Sequence, residues 1–239
     1  MTVEGRETIV GKVGLVLIGG LLVAMAGAFG FVVLASHVES GATQAFDESV
    51  IRWMGAHQTK GLDAAMIEIT ALGTGTVVLM IVIVAALFLV LTQHKYSAIL
   101  LLVSAFGGLV LNGVLKLGFD RPRPSIFIPA VNTVSSSFPS GHAMSAAIVY
   151  STVAYLAARL HRSLWARLVV MLAALVLIVL ICFSRLYLGV HYPSDVIAGV
   201  LIGLAWAALC MATLEGIQRF GLRHDPRILE DEKPAPDAT

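Results

Sequence analysis

LVVMLAALVLIVLICFSRLYLGVHYPSD, residues 168–195, decides what kind of chain this is. Residues 168–184 carry no charge and are almost wholly apolar, close to the roughly 20 residues that cross about 30 Å of hydrocarbon as a helix. From Ser184-Arg185 onward the same stretch turns abruptly polar and gathers Arg185, His191, Ser194 and Asp195 within a few residues. A membrane span therefore runs directly into a segment rich in side chains that can do chemistry.

Further charge-free apolar runs lie at 13–35, 69–92, 96–115, 143–158 and 196–214, which makes six spans. The first follows Arg6 and Lys12, as in a signal peptide, but it is longer than a signal core of about 7–15 residues and reads as a retained span. The whole chain of 239 residues is 58% hydrophobic and 13% charged, with a mean hydropathy of +0.88. A soluble domain carries about 25% charged residues, so this composition excludes a disordered chain and an ordinary soluble enzyme. A formal charge of +1 argues against a nucleic-acid partner. Cys182 and Cys210 sit inside apolar runs and read as packing residues.

Six crossings put both termini on one side, together with Lys95, Arg159, Arg162, Arg167, Arg219 and Arg223; the excess of positive charge makes that side cytoplasmic. Between the first two spans, Phe46, Val50, Trp53 and Met54 recur at helical spacing while Asp47, Glu48 and Arg52 take other faces. The expected fold is thus all-α, an integral membrane bundle of six transmembrane helices with an interfacial amphipathic helix between the first two. Residues 1–220 form the membrane domain and 221–239 a polar, disordered cytoplasmic tail. Gly107, Gly108, Gly199 and Gly203 read as sites of close helix packing within the chain.

Helix parity places three polar constellations on the same outer side. Lys116 to Arg123-Pro124 closes the third span, Pro139-Ser140-Gly141-His142 opens the fourth, and Ser184-Arg185 to His191 and Asp195 joins the last two. Lys116, Arg123 and Arg185 would be costly to bring together without an anion, and guanidinium forks suit phosphate oxygens. Pro139 suits a first helical turn, from which Ser140 and Gly141 would aim amides and a hydroxyl at that anion. His191 and Asp195 are four residues apart, so on the first turn of the last helix the carboxylate can orient one imidazole nitrogen and leave the other free to attack phosphorus. His142 arrives from another helix as acid and base. Arg121, between the phosphate candidates, reads as a surface charge. Glu68, Thr70 and Thr74 are expected at a head-group entrance.

These motifs fit KxxxxxxRP, PSGH and SRxxxxxHxxxD without a departure, and in them the chain resembles the type 2 phosphatidic acid phosphatase superfamily. The resemblance implies His191 as nucleophile, Asp195 as its partner, His142 as acid and base, and Lys116, Arg123, Ser140, Gly141 and Arg185 as phosphate ligands. It also implies no metal and no other cofactor, and a substrate that is a membrane lipid phosphate, with undecaprenyl diphosphate or phosphatidylglycerophosphate the first expectations. The expected location is the plasma membrane, with the site extracytoplasmic. The alternatives are a lipid phosphotransferase and a lipid-phosphate binding or transport protein that does not turn over.

Overall fold

The computed structural model describes the backbone of residues 3–125 and 136–224, and the side chains of residues 17–125 and 136–217 among them. These residues form eight helices and no strand: α1 (Val3–Glu39), α2 (Gln44–Ala56), α3 (Lys60–Ala71), α4 (Gly75–Leu91), α5 (Lys95–Gly118), α6 (Gly141–Leu160), α7 (Leu164–Tyr187) and α8 (Pro193–His224). Five of them, α1, α5, α6, α7 and α8, are long and apolar enough to cross a membrane. α3 and α4 together make a sixth candidate span. The chain is a multi-pass membrane protein. α8 continues as helix to His224, and the polar tail expected beyond it lies outside the described residues.

The second span departs from its expected continuous form, because α3 and α4 meet at a 47° bend. At the break, Gly73 lies so close to α6 and α7 that a Cβ there would sit 2.7 Å from Ile181 Cγ2 and 3.1 Å from His142 Cδ2. Thr74, in extended conformation, restarts the helix, and its hydroxyl donates to Ala71 O at 2.6 Å.

α6 is the innermost span, with more than half of its length buried, and it is also the least apolar. Both properties have one cause. Its Ala and Ser residues face protein rather than lipid, where small side chains let helices approach. Met144, Ala147 and Ile148 are buried on it, and α8 closes on this face through Gly199 and Gly203. A Cβ on Gly199 would lie 2.6 Å from Ser140 O, and one on Gly203 would lie 2.9 Å from Met144 O. The expected packing role of these glycines within the chain is met, as it is for Gly107 against Trp206 and Gly108 against Ile148. α1, α4, α5 and α7 surround this centre and turn Phe29, Val84, Leu109 and Leu172 outward, as lipid-facing helices do.

α2 is amphipathic, and its two faces are resolved. Asp47, Ile51 and Met54 form the buried stripe, whereas Phe46 is 61% and Trp53 58% exposed. Gln58 and Thr59, in the link to α3, are held on Tyr187 at the end of α7: Gln58 Nε2 donates to Tyr187 O at 2.8 Å, and Thr59 N to Tyr187 Oη at 2.9 Å.

Because the approach at Gly203 involves backbone, Gly203→Val forces α6 and α8 apart. Overpacking of this kind costs about 1–3 kcal/mol, and thermal unfolding in detergent is expected to show a lowered midpoint for the variant.

Candidate active site

The C-terminal ends of α5 and α7 and the N-terminal ends of α6 and α8 meet at one end of the bundle. Lys116 lies in the last turn of α5. The chain then leaves the helix at Phe119 in extended conformation and carries Arg121 and Arg123 across the bundle end. This segment is held by residues just before α6: Ser137 N donates to Arg121 O at 2.9 Å, and Ser137 Oγ to Pro122 O at 3.2 Å. Phe119 packs edge-on against buried Phe138 at 4.7 Å, and Phe138 stacks on Phe31 of α1 at 5.7 Å.

α6 begins at Gly141 with Ser140 as its N-cap, so Pro139 precedes the cap instead of occupying the first turn. The amide of Ser140 donates to Asp195 O at 3.0 Å, and its hydroxyl oxygen accepts from Ala143 N at 3.5 Å. The amide is thereby turned to α8, while the hydroxyl keeps its proton to donate. The first-turn amides of Gly141 and His142 have no acceptor within the helix and are the backbone donors an anion would meet.

His191 also differs from its expected place. It lies two residues ahead of α8, after a turn in which Gly189 adopts φ +67°, while Asp195 sits in the first turn of the helix. The two still face each other, with Nδ1 at 3.6 Å from Asp195 Oδ2. On the other side of the ring, Arg123 Nη1 approaches Nε2 at 3.3 Å and donates to Val190 O at 2.8 Å. Burial pushes the His191 pKa down to about 4; Asp195 opposes this, and Arg185 and Arg123 add to it. The imidazole is therefore neutral at neutral pH, with a lone pair available.

Lys116, Arg123 and Arg185 lie within electrostatic reach of one another, and all three act on His142. Arg185 is 3% exposed; its Nη1 donates to Thr70 Oγ1 at 2.7 Å, and its Nε is buried with no hydrogen-bond acceptor among the described residues. Burial pushes the Arg123 pKa below its usual range, against the opposing pull of Asp195. Like charges gathered at a desolvated site favour an anion between them. The residues of the three motifs thus lie at one end of the bundle. Of the three residues expected at its entrance, Thr70 accepts from Arg185, Thr74 bonds back to Ala71 at the end of α3, and Glu68 is exposed on α3.

Arg121 is not the surface charge that its position suggested. Its Nη1 donates to Asp195 Oδ1 at 2.6 Å and to Ser194 Oγ at 2.7 Å, and its Nη2 donates to Asp47 Oδ2 at 2.8 Å and to Gln44 Oε1 at 3.2 Å. The guanidinium also lies over the Tyr192 ring, 4.4 Å from its centroid. Burial alone would lower its pKa, but Asp195 and Asp47 outweigh burial and hold it above the ordinary range. Asp47, fully buried on α2, was also missed as a member of the site. The signal for it was present in the sequence, as a carboxylate in register with Ile51 and Met54 on one helical stripe.

An anion that neutralises the three cations stabilises the folded protein by RT ln(1 + [L]/Kd), about 2.7 kcal/mol at a hundred times Kd. Inorganic phosphate is expected to raise the unfolding temperature of the wild type in detergent and to leave that of Arg185→Gln unmoved.

Residues 97–219 match the PAP2 superfamily. Over 192 residues the chain is 34% identical to phosphatidylglycerophosphatase B of Bacillus subtilis (strain 168), a match that covers 80% of this chain and 94% of that protein. It is 31% identical over 137 residues to an undecaprenyl-diphosphatase of Sulfolobus acidocaldarius, covering 55% of this chain and 62% of the relative. The fold resembles the crystal structure of a transmembrane PAP2 type phosphatidylglycerolphosphate phosphatase from Bacillus subtilis, with a TM-score of 0.77 and 32% identity over 82% of this chain and 98% of that one. A shared fold, a relative matched nearly end to end and the motifs gathered at one end of the bundle lead to the same conclusion: the chain belongs to the PAP2 superfamily, as a multi-pass membrane phosphatase.

Proposed function

We propose that the protein hydrolyses a membrane lipid phosphate through a phosphohistidine on His191, without a metal, at the extracytoplasmic face. The observation that carries this reading is the placement of His191, with Nε2 beside Arg123 and Nδ1 beside Asp195. Phosphatidylglycerophosphate is the first candidate substrate, since the relative matched over 94% of its length is named for it; undecaprenyl diphosphate is the second.

In the first step the Nε2 lone pair attacks phosphorus and the bond from phosphorus to the lipid oxygen breaks. The electron pair leaves with that oxygen, which takes a proton from His142. Lys116, Arg123, Arg185 and the donors at the start of α6 hold the equatorial oxygens, whose charge is stabilised in the transition state. Asp195 stabilises the positive charge that develops on the imidazole. In the second step water gives a proton to His142 and attacks phosphorus, and the P–N bond breaks with its electrons returning to His191.

The sidedness rests on charge: the opposite end of the bundle carries Lys95, Arg159, Arg162 and Arg167. α2 lies in the membrane interface on the active-site side, with Phe46 and Trp53 turned to lipid, so that the head group of an outer-leaflet lipid reaches the site from the membrane plane.

Purified protein is expected to release inorganic phosphate from phosphatidylglycerophosphate or undecaprenyl diphosphate in the presence of EDTA. His191→Ala should lower turnover by at least about 10³-fold, as loss of a nucleophile does. Release that survives the substitution contradicts the nucleophile, and release that EDTA abolishes contradicts the metal-free reaction.

A further inference from the structure

The site holds two arginines that grip opposite ends of one pair. Arg123 lies at Nε2 of His191, on the side of the cations, whereas Arg121 takes Oδ1 of Asp195. The second oxygen of Asp195 accepts from Tyr192 N at 2.8 Å and lies 3.6 Å from His191 Nδ1. With Oδ1 fixed by Arg121 and Oδ2 by the Tyr192 amide, the plane of the carboxylate is set, and the oxygen left facing the imidazole is defined.

Arg121 is itself held from α2. Asp47 accepts from Arg121 Nη2 through Oδ2, and through Oδ1 it accepts from Ser194 N at 3.0 Å. It therefore caps the start of α8 from another helix, where a carboxylate also meets the positive end of the helix dipole. Ser194 Oγ and Gln44 complete the ring of contacts, and the Tyr192 ring covers the guanidinium. The charges have a consequence for chemistry. One guanidinium stands between two carboxylates, so Asp47 balances Arg121 and the negative charge of Asp195 stays directed at His191. Arg121 without Asp47 would draw that charge away from the imidazole just as nucleophilic attack makes the ring positive.

We propose that Arg121 is a positioning residue for the reaction and that α2, through Asp47, is part of the catalytic device: the Arg121–Asp47 pair orients the Asp195 carboxylate toward His191 and keeps its charge available there. The proposal rests on the histidine-nucleophile reading given above. α2 is then a helix whose outer face, with Phe46 and Trp53, is separate from an inner face that reaches the nucleophile through two side chains.

The test is a rapid-quench single turnover with 32P-labelled phosphatidylglycerophosphate or undecaprenyl diphosphate, whichever the wild type hydrolyses, following acid-labile phosphate on the protein. Labelled protein and released phosphate are summed, so that the rate constant reports the attack and the amplitude reports the substrate bound in competent sites. Arg121→Met alone leaves two carboxylates facing each other and can unfold the site, so the principal variant is Arg121→Met combined with Asp47→Asn, which removes one charge of each sign. Misplacement of a catalytic group by about 1 Å costs about 10²-fold in rate; the double variant is expected to phosphorylate His191 about 10- to 100-fold more slowly, with unchanged amplitude and unchanged inhibition by inorganic phosphate. Asp47→Asn alone should slow the same step, and Arg121→Lys should recover part of the rate relative to Arg121→Met. A double variant with the wild-type rate constant, or one in which only the amplitude falls, overturns the proposal while leaving the histidine nucleophile in place. Absence of acid-labile label in the wild type, on a substrate that it hydrolyses, overturns the nucleophile and the proposal with it.

Discussion

The Asp195 carboxylate is fully buried at the end of a membrane bundle, and a charge in that position persists only if every oxygen is met. Three segments meet it or its backbone, with Arg121 from the extended segment after α5, Ser140 at the start of α6 and Tyr192 from the turn after α7, and a fourth, α2, meets the adjacent Ser194 through Asp47. The approach of α8 to α6 at Gly199, whose hypothetical Cβ would lie 2.6 Å from Ser140 O, brings the backbones close enough for the Ser140 amide to reach the Asp195 carbonyl. Packing and chemistry thus share a residue, and the helices cannot seat without assembling the site.

Around His191 the charges are sorted. Arg123 lies at Nε2, within electrostatic reach of Lys116 and Arg185, while Asp195 faces Nδ1 and shares Arg121 with Asp47. Burial, helped by Arg185 and Arg123, keeps the imidazole neutral, with its pKa pushed down to about 4, while the Asp195 carboxylate beside it pulls the other way. Thr70 shows how the broken second span contributes: the bend at Gly73 lets the end of α3 lie over α7, where Thr70 Oγ1 accepts from Arg185. A straight α3–α4 helix would lack that freedom.

Much of this was legible in the sequence. The apolar runs located the spans, and residues at fixed spacing, from Lys116 to Arg123 and from Arg185 to Asp195, marked the candidate site. What escaped depends on contacts between segments far apart in the chain. Arg121 looks like any charge at a helix end until Asp47, 74 residues away, is packed against it. Ser140 looked like an anion donor by its amide because its partner, Asp195 O, belongs to another helix. The placement of His191 ahead of α8 turned on where that helix starts, which a spacing of four residues does not fix. On α2 the bulky apolar residues drew attention to Phe46 and Trp53, yet the buried stripe runs through Asp47, Ile51 and Met54. Hydrophobicity alone does not separate a face turned to lipid from one turned to protein.

The role proposed for His191 is tested by a crystal structure of the wild-type protein with orthovanadate, which adopts the trigonal-bipyramidal geometry of phosphoryl transfer. Vanadium is expected to bond to His191 Nε2, with its equatorial oxygens met by Lys116, Arg123, Arg185 and the amides that open α6. Vanadate bonded to another residue, or held at this end of the bundle with His191 out of reach, would contradict it.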